Sequence, residues 1–387
     1  MGIFTNFSRN QVARSIGLIF TATGLLYGTW SAMIPFIKER FALDEAQLGL
    51  LLLSLPAGVT IMNPFAVPIL HRFGAAKMAR AALALASILF IAPLFAGTVW
   101  VLAFSLFLAG AAFSATNVSM NTCSTMLEEQ QSIRIMSTCH GLWSAGAMSG
   151  SALASIITGM GVLPLLYSAM VSGLLVIVAL AAGKHMHGLR ETVHNSEEQA
   201  GKKFAFPNAM LWSIITISLC TNLAEGTMAD WSAVYMKEVL VSPAYMIGWG
   251  FSAYAFFMAS GRFVGDGLLV RFGERRVLIG GGMVAATGLM LSVIFQNTPV
   301  ALFGFALVGA GVSLGAPILY GASARVPGMA PGAGLATMNT FAMVGFLGGP
   351  AVIGFIAKSW SLPAAFALVA FGALFWAWKA WQTNAIK

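Results

Sequence analysis

Long apolar runs alternate along the chain with short clusters of charge, Pro and Gly, and each run is close to the ~20 residues a helix needs to cross a bilayer core. Twelve such runs can be marked, near 12–36, 46–70, 77–97, 99–126, 135–160, 162–183, 209–236, 244–270, 275–296, 299–325, 332–357 and 361–381. The pattern predicts an all-α membrane protein of twelve transmembrane helices in two six-helix bundles, residues 1–183 and 209–387. Between them, 184–208 reads as a linker, because His185, Glu191, His194, Glu197, Glu198, Lys202 and Lys203 stand where large apolar residues would otherwise be. With His187 the linker holds three histidines, but it lacks both the cysteines and the spacing of a metal site, and no metal is expected.

The two halves repeat each other at a constant interval of 199 residues. Lys38-Glu39, Gly49, Arg72-Phe73-Gly74, Gly110, Thr138, Gly146, Gly150 and Leu163-Pro164 recur without a gap as Lys237-Glu238, Gly248, Arg271-Phe272-Gly273, Gly309, Thr337, Gly345, Gly349 and Leu362-Pro363. Matches at glycine, proline and a shared loop mark structural punctuation rather than shared alphabet. Pseudo-symmetric halves of this kind are a common layout of secondary transporters.

Composition places the chain in lipid. Apolar residues make up 58%, charged residues 9%, and the mean hydropathy is +0.83, against about 45–50% apolar in soluble domains. A net charge of +8 would fit a nucleic-acid partner if it gathered on one soluble face, but it is spread over short loops, so none is expected. With the N-terminus inside, all but Lys38, Arg40, Lys237 and Lys358 of the 21 Lys and Arg fall on the cytoplasmic side, the bias expected of short inner loops. Both termini are therefore expected in the cytoplasm. The start of the chain lacks the features of a cleaved signal peptide or a complete myristoylation pattern. Cys123, Cys139 and Cys220 lie in or near spans and read as packing residues. No nucleophile–base set, metal site or phosphate loop is apparent, so neither an enzyme nor a cofactor is expected.

Ionisable groups at membrane depth are costly and usually face a cavity, so they are the first candidates for function. Glu225 and Asp230 fall in the seventh span, within Asn222-Leu223-Ala224-Glu225-Gly226-Thr227-Met228-Ala229-Asp230-Trp231. Glu225 can load and release a proton or anchor a solute; Asp230, nearer the span's end, is a candidate gate or second proton site. When Gly226-Thr227 is matched to Gly28-Thr29 of the first span, one residue out of the 199 interval, the position corresponding to Glu225 is Tyr27, which can bind but not shuttle protons at neutral pH. His140 is a candidate proton relay. Asn117 and Asn121 are four apart on one helix face, His140 and Trp143 three apart, and Asn339 holds His140's place in the second half. Together with Asn222, Glu225, Tyr27, Trp30, Trp231 and Tyr320 they form a candidate solute set, since rings with polar tips suit the apolar faces and hydroxyl edges of sugars and cyclitols. Any one of these polar groups could instead serve a helix–helix hydrogen bond, and many of the rings could anchor in lipid.

The segment Gly261-Arg262-Phe263-Val264-Gly265-Asp266-Gly267-Leu268-Leu269-Val270-Arg271-Phe272-Gly273-Glu274-Arg275-Arg276 resembles the signature loop of the major facilitator superfamily, and with the twelve-span repeat the resemblance covers the whole chain. It implies the major facilitator fold and a cytoplasmic latch in which Asp266 holds Arg271 or Arg325. The first half keeps Arg72 but has His71 where the signature has Asp. Asp230–Met236 and Cys139–Ser144 further resemble the bacterial branch related to the rhizopine transport protein, and more distantly fucose permeases. Those branches imply a proton-coupled carrier of a small sugar- or cyclitol-like solute; the chain is expected to be a monomer in a bacterial inner membrane, its partners being solute, protons and lipid. Drug exporters of the family typically carry Gly-Pro in helix 5, where this chain has Gly150-Ser151. An exporter of amphipathic drugs or metabolites stays open as an alternative, as does a solute sensor that transports nothing.

Overall fold

Small polar side chains start many of the helices. Asn10 accepts from the Val12 and Ala13 N–H groups, Thr98 from Val101, Asn208 from Leu211, Asn297 from Val300 and Ser361 from Ala364, each satisfying N–H groups that have no partner within the helix. Thr98 and Asn297 are one repeat interval apart. So are Gly74 and Gly273, which cap the following helices with φ of 84° and 79°, a backbone region in which a residue with a Cβ is strained.

The computed structural model describes residues 7, 10–182, 186, 189, 206–327, 329, 333–383 and 386. These form twelve long helical segments: α1 (Gln11–Arg40), α2 (Glu45–Phe73), α3 (Ala75–Phe95), α4 (Val99–Gln131), α5 (Met136–Gly159), α6 (Pro164–Ala182), α7 (Ala209–Val239), α8 (Trp249–Phe272), α9 (Glu274–Phe295), α10 (Thr298–Ala324), α11 (Ala333–Ser359) and α12 (Leu362–Gln382). Ten of them are long and apolar enough to cross a membrane. The other two, α5 and α8, have 24 residues each, so polarity rather than length sets them apart: α5 carries His140 and several serines, α8 carries Arg262, Asp266 and Arg271. Trp100, 84% exposed, and Trp360, 79% exposed, are ordinary for a protein whose outer solvent is lipid.

Contacts divide the described residues into two units. The first comprises Met1–Leu43, Leu50–Thr192 and Pro243–Gly248; the second comprises Asp44–Gly49, Val193–Ser242 and Trp249–Lys387. The exchanged hexapeptides are themselves one repeat interval apart. In the first unit Ser151 Oγ on α5 donates to the Gly248 carbonyl at 2.8 Å, and Gly248 N–H donates to Ser155 Oγ. In the second, the Gly49 backbone lies so close to the Pro350 carbonyl and Gly354 that no side chain would fit, and Lys358 Nζ donates to Asp44 at 2.8 Å. Ser151 and Ser155 are the repeat partners of Pro350 and Gly354, so one crossing is held by hydroxyls and its counterpart by an ion pair.

Close backbone approach holds each unit. In the first, Gly24 and Gly28 of α1 face the Trp143 and Ala147 carbonyls, and Gly146 and Gly150 of α5 face those of Thr21 and Leu25. Small residues at this spacing let membrane helices approach to main-chain contact, where dispersion replaces the hydrophobic drive that lipid removes. Gly110 meets the Leu55 carbonyl between α2 and α4, and in the second unit Gly309 meets the Tyr254 carbonyl between α8 and α10, a repeat-related pair. The second unit also has an aromatic core. Tyr235, fully buried, sits 4.4 Å from the Phe366 ring and 6.0 Å from Phe305, and its hydroxyl donates to the Ser292 carbonyl at 3.0 Å.

Candidate functional site

In the first unit, glycine-mediated contact of α1 with α5 brings Tyr27 and Trp143 together. Their rings are 5.8 Å apart, and Phe113 of α4 stands 5.7 Å from Tyr27 on its other side, forming a tilted aromatic shelf. The buried Trp143 Nε1 has no hydrogen-bond partner among the described residues, and such a donor is costly to leave unpaired. Asn121 Nδ2 donates to Asn117 Oδ1 at 3.1 Å and to its carbonyl at 2.8 Å, so the two amides act as one polar patch on α4. His140 is exposed and meets the Phe20 ring edge-on at 5.3 Å. Trp30 is placed differently. It is 5% exposed and packs against Phe90 beside a void of about 20 Å³, room for a water rather than a sugar.

In the second unit Glu225 on α7 is half-buried and Arg262 on α8 is exposed; their opposite charges attract without an ion-pair contact, and Tyr320 of α10 lies within the field of both. Arg262 Nε donates to the Ser313 carbonyl at 3.4 Å. Counted from sequence among the basic loop residues, Arg262 in fact lies ten residues before the end of α8, roughly 15 Å along the axis. Its position inside the predicted span 244–270 is the signal that could have marked it as a site residue, and the sequence reading did not use it. Asn222 shares α7 and donates to Ser218 Oγ at 3.5 Å. Asp230 is half-buried, and five helical residues turn it about 140° from Glu225. Trp231 is 0% exposed and belongs to the core. Asn339 on α11 is exposed.

The 199-residue register relates these sets to one another. Asn121 corresponds to Tyr320, His140 to Asn339, Ser114 to Ser313, and Asn63 to Arg262. Ser114 Oγ donates to Asn63 Oδ1 at 3.3 Å, so the α2–α4 and α8–α10 crossings are polar at equivalent points. Only the second unit has charge there.

At the basic loop of the second unit, Arg325 pairs with Glu274 at 2.6 Å, a partner not foreseen from sequence, while Arg271 lies over the Phe272 ring at 5.2 Å and Arg72, in the first unit, over Phe73 at 5.6 Å. The side chain of Asp266 lies outside the described residues, as do the linker residues His185, His187 and His194.

A family model described as Major Facilitator Superfamily matches residues 16–243 and 235–384. An uncharacterized MFS-type transporter of Yersinia pestis is 33% identical over 360 residues, spanning 92% of this chain and 91% of its own. The membrane protein MosC of Rhizobium meliloti is 28% identical over 362 residues, 92% of this chain and 86% of that one. Among solved structures, the nucleoside transporter NupG superposes with a TM-score of 0.72 at 12% identity, covering 96% of this chain and 98% of its own. A D-xylose-proton symporter superposes with a TM-score of 0.70 at 14% identity, covering 95% and 97%. At such identities the structural likeness establishes fold alone.

Proposed function

The chain belongs to the major facilitator superfamily, and from that premise we propose that it is a proton-coupled carrier of a small sugar- or cyclitol-like solute. It works by alternating access of residues 1–183 against 209–387, in a bacterial inner membrane with both termini cytoplasmic. One observation carries this reading: Glu225 stands half-buried in the middle of α7, a carboxylate in a membrane-spanning helix, with Arg262 of α8 and Tyr320 of α10 in the same unit. A lone carboxylate or guanidinium at membrane depth is costly, and the two together offset much of that cost. A proton arriving at Glu225 competes with Arg262 for the carboxylate. Protonation releases the guanidinium and Tyr320 to hydrogen-bond solute hydroxyls; deprotonation restores the pair and expels the solute. Tyr27, Trp143, Asn117, Asn121 and His140 supply the stacking and hydrogen-bonding face of the first unit, and Asn222 and Asn339 that of the second. Asp230 serves as a second proton site, and Asp266, Arg72, Arg271 and Arg325 latch the cytoplasmic ends.

Support comes from the D-xylose-proton symporter and from a fucose:proton symporter of E. coli that superposes with a TM-score of 0.62 at 16% identity over 95% of this chain and 97% of its own, each of which pairs a sugar with a proton. The test is a panel of labelled sugars and cyclitols in proteoliposomes under an imposed pH gradient, with internal pH followed by a trapped dye. Solute-dependent proton entry is expected, and Glu225→Gln should abolish gradient-driven accumulation while leaving counterflow exchange. Accumulation with unchanged pH dependence in Glu225→Gln would remove Glu225 as the carrier. Proton release driven by amphipathic drugs, with no response to sugars, would replace the proposal with the exporter.

A further inference from the structure

At the end of the first unit that carries Arg72, a cavity of about 280 Å³ opens between the α2–α3 loop and the end of α4. Its volume is near the lower end of ligand pockets, about 300 Å³. His71, Arg72, Lys77 and Arg80 line it, with Met126 and Met186 on its apolar side, and no Asp or Glu appears among the described lining residues. Arg80 Nε is tethered to the Ala76 carbonyl at 3.3 Å, which leaves its terminal nitrogens available, and Lys77 is exposed. The inside-positive bias of membrane loops accounts for basic residues somewhere in this segment. It does not account for their convergence on one cavity.

The repeat supplies a contrast. In the second unit the position equivalent to Ala75 is Glu274, and that carboxylate already serves the local basic cluster by pairing with Arg325 at 2.6 Å. The first unit has the same Arg-Phe-Gly turn and the same positive-φ glycine, adds Arg80, and replaces the carboxylate with alanine. Equivalent scaffolds thus carry their charge differently: in the second unit Glu274 pairs with Arg325 beside Arg275, whereas in the first the same positions are Ala75, Met126 and Ala76 and the basic residues line an open cavity. Arg and Lys at such a spot favour phosphate, through forked hydrogen bonds from the guanidinium and point charge from the ammonium.

We propose that this cavity binds a phosphate group, contributed either by the headgroup of an anionic phospholipid or by a soluble phosphate. The inference is independent of the solute site. Full-length protein purified in neutral detergent is titrated with phosphatidylglycerol and, separately, phosphatidylcholine, with bound lipids counted by native mass spectrometry. A second series adds inorganic phosphate as competitor. One saturable phosphatidylglycerol site is expected, weakened about tenfold or more by Arg72→Gln/Lys77→Gln/Arg80→Gln. The control Arg14→Gln/Arg134→Gln/Lys379→Gln, equal in charge but away from the cavity, should lose less than twofold. Displacement by millimolar inorganic phosphate would assign the site to soluble phosphates, and retention of the lipid would assign it to the headgroup; both support a phosphate site. Equal losses in the two triple variants, or no preference for phosphatidylglycerol over phosphatidylcholine, would overturn it. If the cavity triple variant does not fold, Lys77→Gln alone, at an exposed position, should weaken binding by roughly threefold to fivefold, and an unchanged affinity would overturn the proposal equally.

Discussion

Gly28 and Gly226 occupy related places, each followed by threonine, in α1 and α7, yet their surroundings differ completely. A Cβ on Gly28 would run into the Ala147 carbonyl of α5, whereas one on Gly226 would meet no heavy atom within 4 Å. Replacing either glycine by alanine brings the same gain in helix propensity, at most about 1 kcal/mol, so the difference between the two variants isolates packing. The Ala147 carbonyl is main chain and cannot rotate aside, so α1 and α5 must separate. Separation also loosens Gly24 against Trp143, Gly146 against Thr21 and Gly150 against Leu25, which share the crossing. Overpacking of this kind costs about 1–3 kcal/mol, and some tens of weakened atom pairs at ~0.1 kcal/mol each give a similar figure. Gly28→Ala is therefore expected to be about 2 kcal/mol less stable than Gly226→Ala, measured by tryptophan-monitored unfolding in detergent. Equal stabilities for the two variants would show that the crossing can relax at no cost, and the account of unit packing would fail.

Trp143→Phe removes a buried N–H that has no partner among the described residues, so unfolding should change by less than about 1 kcal/mol while solute affinity falls about tenfold; unchanged affinity by binding titration would take Trp143 Nε1 out of the proposed solute site. The carboxyl of Asp44 is held below its usual range, first by the hydrogen bond from Lys358 and then by the Gln47 backbone N–H. With a depressed pKa in the folded state, this contribution is present above the ordinary carboxylate value of about 3.9 and is lost as pH falls through the lowered one. Wild type and Asp44→Asn should accordingly keep a constant difference in melting temperature from pH 7 down to about pH 4 and converge below it, and high salt should shrink the difference at every pH because the pair is exposed. Convergence already at pH 6 would contradict the assignment.

The helical layout was legible because apolar runs near span length leave little ambiguity in lipid, but chemistry within the runs was legible only in part. Glu225 stood out because a carboxylate interrupts an otherwise apolar stretch. Arg262 did not, because a cation toward the end of a run looks like a loop charge, and only the helix continuing to Phe272 shows its depth. The fourth span was expected to stop near residue 126 but continues to Gln131, since Glu128 accepts from the Ile135 and Met136 N–H groups and ties the polar end of α4 to the start of α5. The run near 244–270 likewise merged the short turn Ala244–Met246 with α8, which starts at Trp249, because apolar continuity conceals a break in backbone geometry. Trp30 and Trp231 resemble Trp143 in sequence but lie in the cores of their units, a distinction that depends on which helix face finds a neighbour.

The register explains why the two units are not interchangeable. Their crossings are duplicated where geometry alone matters, as at Gly110 and Gly309 or Gly74 and Gly273, but the polar point shared by α2–α4 and α8–α10 has diverged into Asn63 with Ser114 and Arg262 with Ser313. An amide at Asn63 needs no counter-charge at membrane depth. A guanidinium at Arg262 is charged; it donates to the Ser313 carbonyl and attracts Glu225 without an ion-pair contact. A second divergence appears at the basic loops, where Glu274 pairs with Arg325 in the second unit while its counterpart in the first is Ala75, beside a cavity lined by Arg72, Lys77 and Arg80. From the attraction between Glu225 and Arg262 it follows that neutralising Glu225 alone should lower the unfolding free energy in detergent more than replacing Glu225 and Arg262 together, since the single change strands a cation that the double change removes. A double variant less stable than the single one would show that Arg262 is held by something other than Glu225.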